Sequence, residues 1–232
     1  MPTNSTKRIR PDRAPLYDIR PCSLSVVDDL CRGFHGYGHA SATATYAFAV
    51  WENGLPVAAY SWQPPPPGAA VSVCPEAPAG VLALSRMVAV ARDDRRLRHV
   101  STPLRRQMRA LIDRGRWPVL VTYHDEGQGH TGHVYKCSGW TLTKEGELRA
   151  FWVDANGLRA SRYANGKTGG RALVKGGMTR VHRWEHWACE KGGAAAWMAR
   201  AGWLRVRVPG RVWRSGNPMY RYVKARWEGF RV

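Results

Sequence analysis

The chain has 232 residues, with 36 Lys or Arg and 17 Asp or Glu, and its formal net charge is +19 at pH 7. This length and the 44% hydrophobic content allow one full domain plus an appendage, and they argue against global disorder. No apolar run approaches the roughly 20 residues that a bilayer span needs, and the basic N-terminus is not followed by the apolar region of a signal peptide. We therefore expect a soluble, cytoplasmic protein without a membrane partner.

The strong positive charge indicates a polyanionic partner, because its field attracts polyanions and repels most basic proteins. Nucleic acid is the expected partner, since Lys and Arg side chains neutralise its phosphates. Two alternatives stay open. In the first, the positive charge only keeps the protein in solution. In the second, it binds an acidic membrane surface, although no basic amphipathic helix supports this alternative.

Composition divides the chain into three predicted parts. Residues 1–20 form a basic, proline-containing arm that we expect to be flexible. Residues 21–156 alternate strand and helix patterns and are the predicted core. Residues 157–232 are the predicted extension, and from Leu158 onward they carry 17 Lys or Arg against three Glu, together with six of the 11 tryptophans.

The first half of the core predicts a helix followed by a strand hairpin. Residues 24–32 place apolar side chains on one helical face. Two strands follow, at residues 46–52 and 56–62, and Asn53-Gly54 between them is a strong hairpin signal. Residues 64–67 are all proline and predict a polyproline spacer.

The second half of the core predicts a buried strand at residues 81–90, which contains Arg86. A helix then begins with Ser101 as its hydroxyl N-cap and Pro103 in its first turn. The remaining predicted elements are a strand at residues 118–123, a loop at 124–129 and a short helix at 130–138. A closing hairpin follows, with strands at residues 140–143 and 148–153.

This order of elements resembles the GNAT acyltransferase fold, an α/β core with a central mixed sheet flanked by helices. Over residues 34–152 the chain resembles more narrowly the phage Mom family of DNA-adenine modification proteins. The segments that carry the resemblance are Leu84-Ser85-Arg86-Met87, Ser101, Val121-Thr122-Tyr123-His124-Asp125 and Gly129-His130-Thr131-Gly132-His133-Val134-Tyr135-Lys136-Cys137-Ser138-Gly139-Trp140.

The resemblance implies addition of a carbamoylmethyl group to the N6 amine of adenine in double-stranded phage DNA, inside an infected bacterium, as protection from restriction. It implies catalytic roles for His35, Asp125 and Tyr135, and donor binding by Arg86, Ser101 and Thr102. The chain departs from the family where Gly36, and not a tyrosine, follows His35. Residues 98–103 also lack the glycines of a GNAT pyrophosphate loop, which argues against a conventional acyl-CoA donor. The group donor therefore stays unknown, and an acyl-CoA-like molecule is one candidate.

The chemistry of adenine explains why such residues are needed. Its amine is a poor nucleophile and is stacked inside the duplex, so an enzyme must extrude the base. Asp125 follows a central strand, where ligands of open α/β sheets gather, and is the expected general base. The alternative is an aspartate that only caps the next turn.

The other candidates also have structural alternatives. Tyr135 is expected to give a proton to the leaving group, or else to pack under the sheet. Ser101 is expected to orient a donor phosphate at a helix N-terminus, or else only to cap the helix. Arg86 needs a partner if it is buried, and that partner is Asp125, a ligand phosphate or a structural salt bridge.

Histidines near Asp125 also suggest a metal. His35 and His39 are four residues apart, and His130 and His133 three apart; histidines with one carboxylate suit iron or zinc. We assign His35 and Asp125 as candidate iron ligands, against the alternative that no recognised metal motif is present. The five cysteines are scattered without a C-x-x-C pair, so they indicate neither a disulfide framework nor a zinc ribbon.

Arginines and aromatic residues interleave in the extension, as in proteins that grip nucleic acid. Some of these tryptophans are instead expected to form core. The predicted DNA contacts are Arg205, Arg207, Arg211, Arg214, Arg221 and Lys224.

Three functions are compatible with the sequence. The first is a transferase that modifies adenine in DNA. The second is an acetyl-CoA-dependent GNAT enzyme that acts on an amine of a hypermodified DNA base, and the third is a non-catalytic DNA-binding protein. The sequence leaves the oligomeric state open, with a homodimer among the options.

Overall fold

The computed structural model describes residues 18–36, 38–39, 43–90, 100–157, 159–160, 174–212 and 218–224. Its helices are α1 (Leu24–Phe34), α2 (Pro67–Val73), α3 (Ser101–Ile112), α4 (His133–Cys137) and α5 (Ala194–Arg200). Its strands are β1 (Asp18–Pro21), β2 (Tyr46–Glu52), β3 (Leu55–Gln63), β4 (Val81–Ala89), β5 (Val119–Asp125), β6 (Thr141–Lys144), β7 (Leu148–Val153), β8 (Arg159–Ala160), β9 (Val174–Trp187), β10 (Trp203–Val212) and β11 (Pro218–Lys224). Within these ranges, every helix is too short or too polar to cross a bilayer.

Nine strands form one mixed sheet in the order β1-β2-β3-β4-β5-β9-β7-β8, and β6 pairs with β9 beside this path. The pairing of β4 with β5 is parallel, whereas the other pairs are antiparallel. Between β2 and β3, Asn53 and Gly54 both have positive φ, at 51° and 78°, as a two-residue hairpin turn requires. The predicted fold class, an α/β core with a central mixed sheet flanked by helices, is confirmed.

Alternation along β5 builds a hydrophobic core on each side of the sheet. Leu120 faces a core that contains Leu104 and Leu111 of α3, whereas Val121 faces a second core that contains Met198 of α5. A third cluster packs α1 against β3 and β4. Burying a side chain such as Leu104, which is fully buried, stabilises the fold by about 1.5–3 kcal/mol.

The predicted closing hairpin at residues 140–153 is wrong, because β6 and β7 pair with β9 and not with each other. Strand β9 has 14 residues and pairs on both of its edges. Its C-terminal half pairs with β5 on one edge. On the other edge its N-terminal half pairs with β7 and its C-terminal half with β6. This strand lies in the predicted extension. The core sheet therefore extends past the predicted boundary at residue 156.

A buried carboxylate anchors β9. Glu185 is almost completely buried, lies 3.0 Å from the Arg183 Nε, and accepts a hydrogen bond of 2.9 Å from the Trp187 Nε1. The Arg183 Nη1 also donates to the Ser72 hydroxyl of α2 at 3.0 Å. These partners compensate the desolvation of a charge that would otherwise be costly to bury.

Three local predictions change in detail. Ser101 is the first residue of α3 and not its N-cap, which is Val100 and makes no side-chain capping bond. The Tyr60 hydroxyl instead donates to the Val100 carbonyl at 3.2 Å, which ties the start of α3 to β3. The proline spacer gives way to α2 at Pro67. Residues 18–20 of the predicted arm form most of edge strand β1, while residues 1–17 lie outside the described ranges.

After β9 the chain packs back on the sheet and then forms a separate two-stranded sheet. Helix α5 buries Ala194 and Met198 in the second core. Strands β10 and β11 then pair with each other. The guanidinium of Arg116 lies over the rings of both Trp117 and Trp203, at 4.5 and 5.0 Å from their centroids. One of the predicted core tryptophans of the extension thus contacts the main body through a cation–π interaction.

Candidate active site

A cleft of about 760 Å³ lies where the parallel strands β4 and β5 separate. Their backbone pairing is confined to Val81–Ala83 against Val119–Val121. Beyond it, the Thr122 hydroxyl donates to the Leu84 carbonyl at 3.3 Å. The cleft thus opens at the carboxyl ends of two parallel strands, where α/β sheets commonly bind ligands.

Four of the six residues predicted for catalysis and donor binding line this cleft: His35, Arg86, Asp125 and Tyr135. Ser101 and Thr102 are not among its lining residues. Ser101 contacts α4 instead, since its carbonyl accepts a hydrogen bond from the Ser138 hydroxyl at 3.3 Å. Donor binding by Ser101 and Thr102 stays a prediction.

A β-bulge aims Arg86 into the cleft. The register between β3 and β4 pairs Trp62 with Leu84 and Ser61 with Arg86, so Ser85 is an extra residue in β4. The Arg86 guanidinium donates to the carbonyls of His39, at 3.0 Å, and Ser85, at 2.7 Å. Bulges of this kind redirect a side chain next to active sites. Here the bulge and these carbonyls tie the segment after α1 to the edge of the cleft.

His35 follows the last residue of α1, and its backbone N–H donates to the Cys31 carbonyl at 3.0 Å. Burial lowers the pKa of His35 to about 4, and the nearby charges of Arg86, His130 and His39 act in the same direction. The imidazole is therefore neutral at physiological pH, which suits a hydrogen-bonding role, and its low pKa makes it a weak proton acceptor.

The depressed pKa of His35 predicts a pH-dependent stability. The unfolded chain binds a proton on this ring near its ordinary pKa of 6.5, while the folded protein resists protonation until about pH 4. The free energy of unfolding should therefore fall as the pH decreases from 6.5 towards 4. Urea denaturation across this range should show a smaller decrease for His35→Gln than for the wild type. Equal slopes would contradict a half-buried, neutral His35. The control is His133→Gln, which changes an exposed residue of α4.

Asp125 is a buried carboxylate at the end of β5. Its Oδ1 accepts a hydrogen bond from the Gly127 N–H at 3.0 Å and another from the Thr179 hydroxyl. It thus caps the 3-10 turn Glu126–Gln128, as the structural alternative expected, and it also lines the cleft. The cap and Thr179 of β9 fix the position of a carboxylate at the cleft.

Tyr135 is buried in α4 with its ring about 6.0 Å from those of both Trp140 and Trp184. Burial raises the pKa of Tyr135, although a hydrogen bond with the Thr122 side chain acts in the opposite direction. The phenol therefore keeps its proton at physiological pH, as a proton donor must.

Tyr135→Phe tests this hydroxyl with little change of packing. If Tyr135 is the proton donor, we expect the rate of modification to fall by about 10²-fold or more, because general-acid catalysis supplies 10²–10⁴-fold. Single-turnover rates on DNA are the measurement. Tyr123→Phe, which removes a hydroxyl from another cleft residue, is the matched control. An unchanged rate would leave Tyr135 with a packing role only.

Sequence reasoning did not assign a role to His124, which is buried on the cleft wall. Its Nδ1 accepts a hydrogen bond of 2.7 Å from the Trp184 Nε1, and its ring stacks on that of His182 with 4.6 Å between the centroids. The His182 Nε2 lies 2.9 Å from the Glu126 Oε1. Two of these four residues belong to β9, so the sequence held no local signal for the group.

Tyr123 also lines the cleft, and it is 40% exposed although it lies on a central strand. Exposed Arg149 of β7 borders the same cleft, and its charge and that of Arg183 act on the pKa of Tyr123. Burial nevertheless raises that pKa. An aromatic ring beside cationic side chains is an arrangement on which a nucleobase can stack.

Residues 17–191 of the chain match the family model of the Mom protein family. The chain belongs to the Mom protein family. The match includes every strand of the nine-stranded sheet and ends before α5, so the Mom family region takes in β9 as well as the cleft. The β10–β11 hairpin lies outside it. No curated protein matches the chain.

Solved structures similar to this Mom family chain include several acetyltransferases. An IAA acetyltransferase from Bacillus cereus has a TM-score of 0.44 and 9% identity, and the alignment covers 73% of this chain and 97% of that one. The ribosomal-protein-S18-alanine N-acetyltransferase from Escherichia coli has a TM-score of 0.46 and 10% identity, with coverage of 73% and 92%. An aminoglycoside 6'-N-acetyltransferase from Enterococcus faecium has a TM-score of 0.45 and 10% identity, with coverage of 74% and 97%.

The predicted iron site is not supported. In the part of the chain that the structure describes, no group of three or more His, Cys, Asp or Glu side chains is arranged to hold a metal ion. His35 and Asp125 both line the cleft, but Asp125 is engaged by Gly127 and Thr179. These residues do not fit the predicted ligand set, so we assign no step to a metal.

The predicted DNA contacts lie on or near the β10–β11 hairpin. Arg205, Arg207 and Lys224 are exposed there. The register pairs Arg205 with Tyr222 and Trp203 with Lys224, so by alternation these three cations share one side. Arg221 pairs with Val206, so its position in the register alternates with those of the three cations. Arg211 belongs to β10, and Arg214 lies outside the described residues.

Proposed function

We propose that this protein is a DNA modification enzyme that adds a carbamoylmethyl-type group to the N6 amine of adenine in phage DNA and so protects it from restriction. The observation that carries the proposal is that a member of the Mom family brings His35, Arg86, Asp125 and Tyr135 to one cleft. These residues are distant in sequence, and each has a chemically useful side chain. Their convergence is what a transferase needs and a passive DNA-binding protein does not.

Strand alternation supports a division of labour across the cleft. His124 and Asp125 are consecutive on β5, so their side chains leave opposite faces of the sheet. Tyr135 lies on the His124 side, in the same core as Trp184. We assign the adenine amine to the Asp125 side and the group donor to the Tyr135 side.

In this arrangement the amine nitrogen attacks the carbon of the group to be transferred while the bond from that carbon to its carrier breaks. The amine proton passes to the Asp125 carboxylate. The leaving carrier atom takes a proton from the Tyr135 hydroxyl, which Asp125 and solvent later restore. We propose a CoA-like thiol as the carrier, bonded through its sulfur to the methylene carbon of the carbamoylmethyl group, so that this carbon–sulfur bond is the one that breaks. Leu84, Met87 and Val134 give the cleft wall apolar surface that would suit such a chain.

The extruded adenine needs a surface that replaces its lost stacking. Tyr123 is the exposed aromatic ring of the cleft, and Arg149 beside it would contact a backbone phosphate. The exposed cations of the β10–β11 hairpin would hold the flanking duplex through its phosphates. Together these contacts make double-stranded DNA the proposed partner.

A restriction challenge tests the function. Plasmid from cells that produce the protein should resist endonucleases whose sites contain adenine, while plasmid from cells with an empty vector should be cut. The same cleavage rate for both plasmids would contradict the proposal in that host.

The two rival functions predict other outcomes. Protection that appears only with DNA from the native phage would favour an acyltransferase that acts on a hypermodified base. Tight binding of acetyl-CoA, measured by calorimetry, would strengthen that rival. Tight DNA binding without modification of either DNA would favour a non-catalytic protein.

A further inference from the structure

The hydrogen bond between Trp184 and His124 fixes where the imidazole carries its proton. An indole nitrogen can only donate, so the Nδ1 of His124, 2.7 Å from the Trp184 Nε1, must accept. In a neutral imidazole the other nitrogen then carries the hydrogen. The Nε2 of His124 is therefore an N–H donor.

The surroundings also keep this ring neutral. A proton on Nδ1 would oppose the indole N–H directly and break the bond. Burial lowers the pKa of His124, and the His182 ring stacked on it acts in the same direction. Of the other charged groups that face the ring, His130 also lowers the pKa, whereas Glu126 and Asp125 raise it.

The donor nitrogen is available to a ligand. His124 lines the cleft, and among the described residues no side chain or carbonyl accepts a hydrogen bond from its Nε2. Because position 132, just before α4, is a glycine, the backbone there can lie close to the rings of His124 and Trp184. A Cβ there would lie 2.6 Å from the Trp184 ring and 3.2 Å from the His124 Cε1. The close packing leaves the pair little freedom to turn.

We infer that His124 is a fixed hydrogen-bond donor of the cleft, whose Nε2–H binds a carbonyl oxygen of the group donor, and that Trp184 is its positioning residue. The donor side follows from alternation, because His124 shares its face of the sheet with Tyr135 and not with Asp125. A carbonyl oxygen fits because the carbamoylmethyl group carries an amide carbonyl beside the carbon that the amine attacks, and an N–H that has no partner among the described residues can hold this oxygen in place. The identity of this ligand rests on the proposed function, whereas the proton position does not.

The proton position can be measured directly on the full chain. Long-range 1H–15N correlation spectra of the ¹⁵N-labelled protein separate the two tautomers and the charged form of each imidazole, and His124→Gln assigns the signal. At pH 8 we expect the neutral Nε2–H form. In Trp184→Phe, which keeps an aromatic ring but removes the N–H, we expect a mixture of tautomers at the same pH. A wild-type His124 that carries its proton on Nδ1 would overturn the inference. An unchanged tautomer in Trp184→Phe would show that Trp184 is not the residue that positions the proton.

Two substitutions of His124 separate a donor from a packing residue. The amide nitrogen of Gln lies near the position of Nε2, whereas the shorter Asn places its amide near Nδ1. We expect His124→Asn to lower the modification rate by about tenfold, the upper end of what one hydrogen bond to a neutral oxygen contributes, and His124→Gln to restore much of that loss. Trp184→Phe should make the rate pH-dependent. Equal rates for the wild type and His124→Asn would refute the donor role.

The two proposals fail in different ways. If the wild type modifies no DNA from any host or phage, the proposed function fails and the carbonyl ligand falls with it, while the spectra still decide whether Trp184 holds the proton on Nε2. If the wild type modifies DNA but its His124 proton lies on Nδ1, the function stands and this inference fails.

Discussion

Asp125→Asn is expected to lower the yield of modified adenine by about 10²-fold or more, because loss of a general base removes 10²–10⁴-fold of rate. Asparagine keeps an oxygen that can accept the hydrogen bonds from the Gly127 N–H and the Thr179 hydroxyl. The turn after β5 should therefore stay capped, and the melting temperature and DNA affinity should change little. Asp125→Ala would remove the cap as well, so it confounds folding with chemistry.

Thr179→Val is the matched control for Asp125→Asn. It removes the buried hydroxyl that donates to Asp125 but leaves the carboxylate in place. We expect a loss of stability on the order of 1 kcal/mol and a much smaller loss of activity than in Asp125→Asn. Full activity of Asp125→Asn, measured by nucleoside mass spectrometry, would reduce Asp125 to a structural cap.

Substitution of the three exposed cations of the hairpin is expected to weaken DNA binding and its salt dependence. Each phosphate contact contributes about 0.9 to the slope of log affinity against log salt concentration. Arg205→Ala, Arg207→Ala and Lys224→Ala combined should therefore lower the slope by about 2 to 3. Fluorescence anisotropy on a DNA duplex at several salt concentrations is the measurement. A slope equal to that of the wild type would mean that the hairpin does not contact the phosphates.

The control removes the same formal charge elsewhere. Arg20, Arg32 and Arg109 are exposed, and each forms a salt bridge with a nearby aspartate. Their combined replacement by alanine should leave the salt slope unchanged. Truncation before Leu158 is not a usable test of the extension, because it removes β9 from its place beside β5.

Local signals in the sequence predicted most of the elements. The Asn53-Gly54 turn fixed the β2–β3 hairpin, and apolar runs indicated β4 and β5, because these features depend only on neighbouring residues. The structure brings His35, Arg86, Asp125 and Tyr135 to one cleft, and the catalytic and donor-binding roles that the resemblance implies for them stay predictions.

Long-range pairing was beyond such signals. Strand β9 lies far along the chain from β5, β6 and β7, and the apparent hairpin at residues 140–153 offered a simpler local partner. The bond between His124 and Trp184 spans 60 residues and depends on that pairing. Arg86 donates to carbonyls of the backbone, which every residue carries and no sequence pattern marks.

The separation of β4 from β5 connects fold and chemistry. Because the strands pair over three residues and then diverge, side chains from both sheet faces reach one space. This geometry is what would allow Asp125 and His124, which are consecutive in sequence, to serve opposite sides of the proposed reaction.

The most direct test of the central claim is mass spectrometry of the nucleosides from plasmid DNA of cells that produce the wild-type protein, with cells carrying an empty vector for comparison. The account predicts a new deoxyadenosine whose added mass is that of a carbamoylmethyl group, carried on the base and present only with the protein. Canonical nucleosides alone, from the plasmid and from DNA of the native phage, would contradict the assignment as a DNA-modifying transferase.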